Sequence, residues 1–416
     1  MLTGAVLATY LRVKGSCVLY QRKQLPGHSR SPALNFNVKM VPGWCAFCKS
    51  TVRRPNRHRG VCPVLVRKEK LQAQPHFHLD VNAHADSDSQ LAANLPLNDA
   101  VCFEDMLFML KTFNNVNYAT YDEYLNSCTY FQAKVEEYIQ ASLRRETVSG
   151  VGIPVKESHK KQYAAIIASM QRYGLIFERN NKLCAEKQPV YVEFGAGRGY
   201  LSHFLSNVFS GVDLVLLERK AYRFKAERSL RGRCIGFVRR VTVDLKDVVL
   251  SQIRELTTCS FVGFGKHLCG SATDLALRAC FRTRQSESPT CKALGFAVSM
   301  CCYHRCSWDT YVNQSYLVKQ GIGRSEFCHL IKVTSWATLG SSSSMSVSLY
   351  DRNEENVHSA AFKLQHQEKV LLGRLAKRIL NNGRVEWCMG LGLKAKLITY
   401  IEEEISPENI LLLVQR

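Results

Sequence analysis

Short apolar runs separated by stretches of helical period dominate the chain from residue 189 onward. "PVYVEF" is an apolar run, broken by a single acid, that meets a glycine turn, "GAGRG", and then a helical stretch, "YLSHFLSNVF". "VDLVLLER", "RRVTVDL", "SFVGFGKHLCG" and "ALGFAVSMCC" supply further runs, set apart by lengths that suit crossover helices. Buried strands alternating with helices predict a parallel, doubly wound sheet of the α/β class. Between about Asp99 and Arg179 the period is helical instead, as in "FEDMLFMLKTF" and "HKKQYAAIIASMQRYGLIF". "TLGSSSSMS" (338–346) reads as a flexible serine loop, and "FKLQHQEKVLLGRLAKRILNNG" as an amphipathic helix closed by Asn-Gly. No internal repeat interrupts this order.

None of the runs reaches eighteen apolar residues, so the reading is a soluble protein that crosses no membrane. With 416 residues there is room for one large domain and a smaller module. Seventeen cysteines without a secretory signal fit a reducing compartment, where thiols serve metals, catalysis or packing. Charge changes the picture further. The net charge is +21; thirteen Lys and Arg precede Glu69, the first acidic residue, and the remainder is basic by eight. A polyanionic partner follows, nucleic acid foremost, because neutralising phosphates releases counterions. Residues 1–39 have the composition of a mitochondrial transit peptide, and equally suit a stretch preceding a true start at Met40. The first alternative places the chain in mitochondria, the second in cytoplasm or nucleus. Nothing in the sequence calls for an obligate protein partner.

Gly195, Gly197 and Gly199 alternate directly after the first run of the sheet. Such a turn lets the backbone approach a nucleotide cofactor at the carboxyl edge of the sheet. A dinucleotide site would space its glycines G-x-G-x-x-G to receive a pyrophosphate. Here the spacing is G-x-G-x-G, and Glu193 stands two residues before the first glycine. That carboxylate would repel a pyrophosphate but suits the cationic amino-acid part of S-adenosylmethionine. Glu218, ending the second run, can accept the ribose hydroxyls of the adenosine, and Asp244, after the third, its adenine amino group. Three acids at three successive strand ends favour a methyltransferase over a nicotinamide enzyme.

"VEFGAGRGYLSHF", "LLERKAYRFK", "GKHLCGSATDLALR", "CCYHRCSWDTYV" and "SWAT" resemble, in order and spacing, the eukaryotic tRNA 2′-O-methyltransferase family that modifies the fourth nucleotide of the acceptor stem. The tail "NNGRVEWCMGLGLKAKLITYIEEEISPENILL" is similar to that family's as well. The resemblance covers residues 159–416 and implies a Rossmann-like class I methyltransferase domain. It also implies methyl transfer from S-adenosylmethionine to a ribose hydroxyl of tRNA. The family carries a zinc finger spaced Cys-x5-His-x9-His-x3-Cys. This chain departs from it with Cys45-x2-Cys48-x9-His58-x3-Cys62, so a cysteine replaces the first histidine. Three thiolates and one imidazole still make a tetrahedral structural zinc site, and in so small and basic a fragment the metal would supply the folding energy. "PHFHLDVN" matches the family's segment behind the finger, and an earlier finger found in family members is absent, only Cys17 and His28 remaining. The expected division is therefore a basic extension (1–39), a finger and basic tail (40–82), a helical region (83–158) and the methyltransferase domain (159–416).

A ribose 2′-hydroxyl is a poor nucleophile at neutral pH, so the enzyme must place the oxygen in line and accept or screen its proton. The fourth strand is expected to end at Lys266-His267. There the lysine can stabilise developing alkoxide or act as a base of depressed pKa, and the histidine is the natural acceptor near pH 7. Cys269 raises a rival, C5 methylation of a pyrimidine through a covalent thiolate. A nonenzymatic RNA-binding scaffold would explain the finger and the charge but not the three acids. "AVSMCCYHRC" (297–306) gathers Cys301, Cys302, His304 and Cys306. Consecutive strand side chains point to opposite faces, so these residues read first as thiols packed at the sheet edge, with a metal completed by a more distant ligand as the alternative. In the loop beyond, Arg305 is a candidate phosphate grip and His304 a reserve base.

Overall fold

The computed structural model describes residues 10–13, 16–19, 43–45, 47–52, 58, 62–83, 103–112, 129–149, 155–177, 188–223, 226–230, 236–282, 290–337 and 364–416. It divides into two compact units, Met1–Gln74 and Pro75–Arg416. The transit-like reading of 1–39 and the serine loop at 338–346 fall almost wholly outside the described residues.

In the first unit β1 (Tyr10–Val13) pairs with β2 (Ser16–Leu19), and β3 (Gly43–Cys45) with β4 (Ser50–Val52), both antiparallel. Helix α1 (Pro63–Gln72) begins with Pro63, whose missing N–H costs nothing in the first turn. Its apolar cluster is minimal: Cys45 and Cys62 are fully buried, with Phe47, Cys48 and Leu65 packed against them.

The second unit is built on a seven-stranded sheet. In chain order the strands are β5 (Val190–Phe194), β6 (Leu214–Leu217), β7 (Val238–Val241), β8 (Phe261–Cys269), β9 (Ala293–Cys301), β10 (Lys394–Thr399) and β11 (Ile410–Gln415). Across the sheet the order is β10-β11-β9-β8-β5-β6-β7. β5 to β9 are parallel, and β11 enters antiparallel between β9 and β10. The α/β, mostly parallel doubly wound fold is thus observed. Both faces are covered, which is why the central strands read as mostly apolar runs. Val190, Val192 and Phe194 of β5 join one core layer with Val215 and Leu217 of β6, while Tyr191, Leu214 and Leu216 join the other. The first layer lies under α2 (Phe103–Thr112), α6 (Ser271–Phe281), α7 (Gln314–Lys319), α8 (Arg324–Thr334) and α9 (His366–Gly390). The second lies under α3 (Thr129–Ser149), α4 (Glu157–Arg172) and α5 (Tyr200–Val208).

Two expectations are corrected here. The Asn-Gly step does not close the amphipathic helix: α9 runs through Asn381, Asn382 and Gly383 to Gly390. Glycine is needed inside the helix because an added Cβ would overlap the Tyr311 hydroxyl, and the Gly383 carbonyl accepts from Asn313 Nδ2 at 2.9 Å. The same helix sends Arg384 into the core, where Nε and Nη2 fork onto both oxygens of Asp274 at 3.1 and 2.8 Å. Lys266-His267 does not end the fourth strand. β8 continues to Cys269 past a bulge between Lys266 and Leu268, with His267 at φ 65°. The extra residue lets both neighbours keep their pairing with β9.

Residues 75–83 lie along the flank of this unit. His78 N donates to Asp247 O (2.7 Å), and Val249 N to His76 O (2.9 Å). Asn82 is fully buried, its Nδ2 donating to Leu245 O and Val248 O, while its carbonyl accepts from the buried Arg278.

Candidate functional site

β5 and β8 are neighbours, but the chain leaves β5 towards β6 and β7 and returns to place β8 and β9 on the other side. This is the switch point of the sheet, where open α/β folds form a ligand crevice beyond the strands' carboxyl ends. Gly195, Gly197 and Gly199 occupy its rim with φ of 62°, 51° and 80°, values that only glycine adopts without strain. Among the described residues a Cβ at Gly197 would meet nothing nearer than the Gly195 carbonyl at 4.0 Å. Glu218 holds the turn in place: one carboxylate oxygen accepts from Gly197 N at 2.9 Å and the other from Lys220 N at 2.8 Å. From below, Arg240 Nη1 donates to the Gly197 carbonyl at 2.9 Å. Each Glu218 oxygen retains a lone pair for a further donor.

The other two acids sit differently. Glu193 is buried, and one of its oxygens accepts from both the amide (3.1 Å) and the hydroxyl of Ser202, near the start of α5. Its negative charge thus stands at the positive end of that helix. Asp244 accepts from Lys246 N at 3.2 Å and lies 3.8 Å from Arg219 Nη1.

Across the crevice Lys266 is 6 % exposed, and its Nζ has no hydrogen-bond partner among the described residues. The ammonium stands 4.5 Å from the centroid of the Tyr163 ring. Burial lowers its pKa from 10.5 to about 8. His267 projects from the bulge on the exposed side of the strand, its ring 6.3 Å from that of His159. Crowding by the surrounding atoms, then the charges of Lys266 and His159, hold His267 down to about 4, so the ring is neutral at pH 7. His159 is lowered by the same causes, burial first and Lys266 next. His159 and Tyr163 were missed in the sequence. They are spaced i, i+4 on α4 and share one face, but nothing local says that this face meets β8.

His304 and Arg305 lie exposed in the turn after β9. Gly270 admits that turn: an added Cβ would overlap the Arg305 backbone, and Ser271 Oγ donates to Arg305 O at 3.3 Å. Cys306 is buried, its sulfur accepting from Arg384 Nη2 at 3.2 Å, which makes it a packing thiol. Cys301 and Cys302 do not diverge as strand alternation requires. Cys302 adopts φ 50° and ψ 47°, and both sulfurs gather with that of Cys269 within 4.8 Å of one another.

In the other unit Cys45, Cys48, His58 and Cys62 form a quartet whose ligand atoms all lie within 4.8 Å of one another. Cys45 Sγ is 3.8 Å from Cys62 Sγ, and Cys48 Sγ is 3.3 Å from His58 Nε2. A tetrahedral zinc with sulfur bonds of about 2.3 Å spaces its thiolates about 3.8 Å apart, so the donor set fits that ion.

The family model described as Methyltransferase TRM13 matches residues 161–415. The chain belongs to that family. The TRM13 match takes in the glycine turn, the three acids, Lys266, His267 and the turn after β9, but not the quartet. A mouse protein named tRNA:m(4)X modification enzyme TRM13 homolog is 29% identical over 314 residues, covering 61% of this chain and 63% of the mouse protein. The human protein of the same name is 28% identical over 315 residues, with the same coverage. A Schizosaccharomyces pombe protein named tRNA:m(4)X modification enzyme TRM13 is 25% identical over 359 residues, covering 83% of this chain and 87% of that protein. The chain thus spans 63% of the length of the mouse and human TRM13 relatives. No helix among the described residues is long and apolar enough to cross a membrane.

Proposed function

We propose that this chain transfers a methyl group from S-adenosylmethionine to the ribose 2′-hydroxyl at nucleotide four of the tRNA acceptor stem. The observation that carries the reading is the convergence at one crevice of a three-glycine turn braced by Glu218 and a buried lysine whose amino group has no hydrogen-bond partner among the described residues. The space beyond Gly197, clear of the described residues, suits close approach of a nucleoside, and the free lone pairs of Glu218 suit its vicinal hydroxyls. Asp244, at the next strand end, would receive the adenine amino group. Glu193 would act from a distance as a fixed negative charge beneath a cationic ligand. When bound, S-adenosylmethionine supplies an electrophilic methyl group.

Lys266 and His267 would attend the attacking oxygen. With its pKa near 8, Lys266 is partly neutral at physiological pH and can accept the hydroxyl proton, or screen the oxygen while charged. His267, neutral at pH 7, can serve as the second acceptor. Arg305 would grip a backbone phosphate, with His304 beside it as a reserve base. The basic chain and the names of its relatives support tRNA as the polyanion. The Cys45, Cys48, His58 and Cys62 quartet would hold one Zn2+ and contribute RNA affinity.

The test is incubation with total tRNA and tritiated S-adenosylmethionine, followed by mapping of the label after alkaline hydrolysis. Ribose methylation protects one acceptor-stem linkage from alkali. A labelled but alkali-sensitive product would instead promote C5 pyrimidine chemistry through Cys269.

A further inference from the structure

The carboxyl ends of β8 and β9 carry three thiols for which methyl transfer has no use: Cys269, Cys301 and Cys302. Cys269 and Cys301 are register partners on adjacent parallel strands, their sulfurs 3.7 Å apart. Pairing alone explains those two. A regular strand would turn the next side chain, Cys302, to the opposite face. Its left-handed backbone, which disfavours any residue with a Cβ, brings the sulfur back instead. The turn is fastened on both sides, Gly270 N donating to Cys301 O at 3.1 Å and Arg305 N to Cys302 O at 2.9 Å.

The result is a triangle of thiols with its edges inside 4.8 Å. Its Cys269–Cys301 edge of 3.7 Å compares with the 3.8 Å of Cys45 and Cys62 in the quartet, and with the spacing of about 3.8 Å around a tetrahedral zinc. Cys301 is buried, whereas Cys269 and Cys302 are half-buried, so one side of the triangle faces solvent. Cys306, the next thiol along, is occupied by Arg384 and supplies no fourth ligand.

We propose that Cys269, Cys301 and Cys302 form a second metal site, binding one Zn2+ through three thiolates with solvent in the fourth position. Each thiol gives its proton to solvent as its sulfur binds. Soft thiolate donors select zinc over the oxygen-seeking divalent ions.

Metal content of the full chain, purified under reducing conditions without chelator, tests this independently of methyl transfer. Two zinc ions per chain are expected. Cys45→Ser/Cys62→Ser should retain one, and adding Cys301→Ser should leave none. Because Cys301 is buried, Cys302→Ala in the half-exposed turn provides a second variant, whose fold is checked by its melting curve. Cobalt exchanged into Cys45→Ser/Cys62→Ser should give thiolate-to-metal charge-transfer absorption that disappears with Cys302→Ala. The inference is overturned if Cys45→Ser/Cys62→Ser binds no metal. A Cys269–Cys301 disulfide that forms in place of bound zinc once the reductant is removed would overturn it too, marking the pair as a redox couple.

Discussion

Lys266 is held where a charge is costly, and that cost is legible in both stability and rate. Its fall from 10.5 to about 8 corresponds to about 3 kcal/mol of penalty on the ammonium form, part of which the Tyr163 ring returns. The unfolded chain keeps the proton up to pH 10.5, whereas the folded chain releases it near 8. Between those values the unfolded state binds more protons, so wild-type stability rises with pH across that window. Lys266→Met should therefore stabilise the protein at pH 7 by about 2 kcal/mol, a gain that shrinks towards pH 10.5 in denaturant titrations. The same variant should lose about a hundredfold or more in turnover on tRNA, the usual size of an acid–base contribution. In the wild type, kcat/KM should climb with pH to a plateau above about 8 if the neutral amine is the base; a profile flat from pH 6 to 9 would leave Lys266 only an electrostatic role. At Gly197 a valine meets two obstacles, a left-handed φ of 51° and a Cβ filling the space beyond the turn. Gly197→Val should weaken S-adenosylhomocysteine binding more than tenfold by calorimetry, with Glu218→Ala weakening it through loss of the turn's brace.

The elements that were easiest to read are those whose pattern has a single cause. β5, β6, β8 and β9 announce themselves because burial on both faces leaves few polar positions inside them, Glu193 in β5, Lys266 and His267 in β8 and Ser299 in β9 being the exceptions, and the alternation of glycines at 195, 197 and 199 is demanded by backbone dihedrals. What escaped the sequence depends on a distant partner. Asn381, Asn382 and Gly383 carry a stop signal, yet α9 passes through them because Tyr311 needs the space of a missing Cβ and Tyr303 takes a hydrogen bond from Asn381 at 2.9 Å. The bulge at His267 and the left-handed Cys302 are equally silent, since both residue types are ordinary in strands and turns. For the same reason the sequence shows the site's residues singly but not their assembly. Within α9, Gly383→Val should cost about 1–3 kcal/mol by overpacking. Arg384→Met should cost about 3–5 kcal/mol, because Asp274 would keep a buried charge without its partner. Chemical denaturation of the two variants checks both values.

At the scale of the whole molecule, the Cys/His quartet and most of the net charge sit in a unit with almost no apolar core among the described residues, while the crevice sits in one with two full core layers. Cys45→Ser/Cys62→Ser should accordingly leave S-adenosylhomocysteine affinity unchanged while lowering tRNA affinity and flattening its dependence on salt, since fewer phosphate contacts release fewer counterions. Filter binding at several salt concentrations measures this; an unchanged slope would remove the quartet from RNA recognition. The sheet order carries one more consequence, for the birth of the protein. β9, which ends at Cys301, finds its outer neighbour only when residues 410–415 arrive. At about 5–20 residues per second, the ribosome leaves that edge unpaired for on the order of ten seconds, with the strand's bonding groups bare to any chaperone or stray strand nearby.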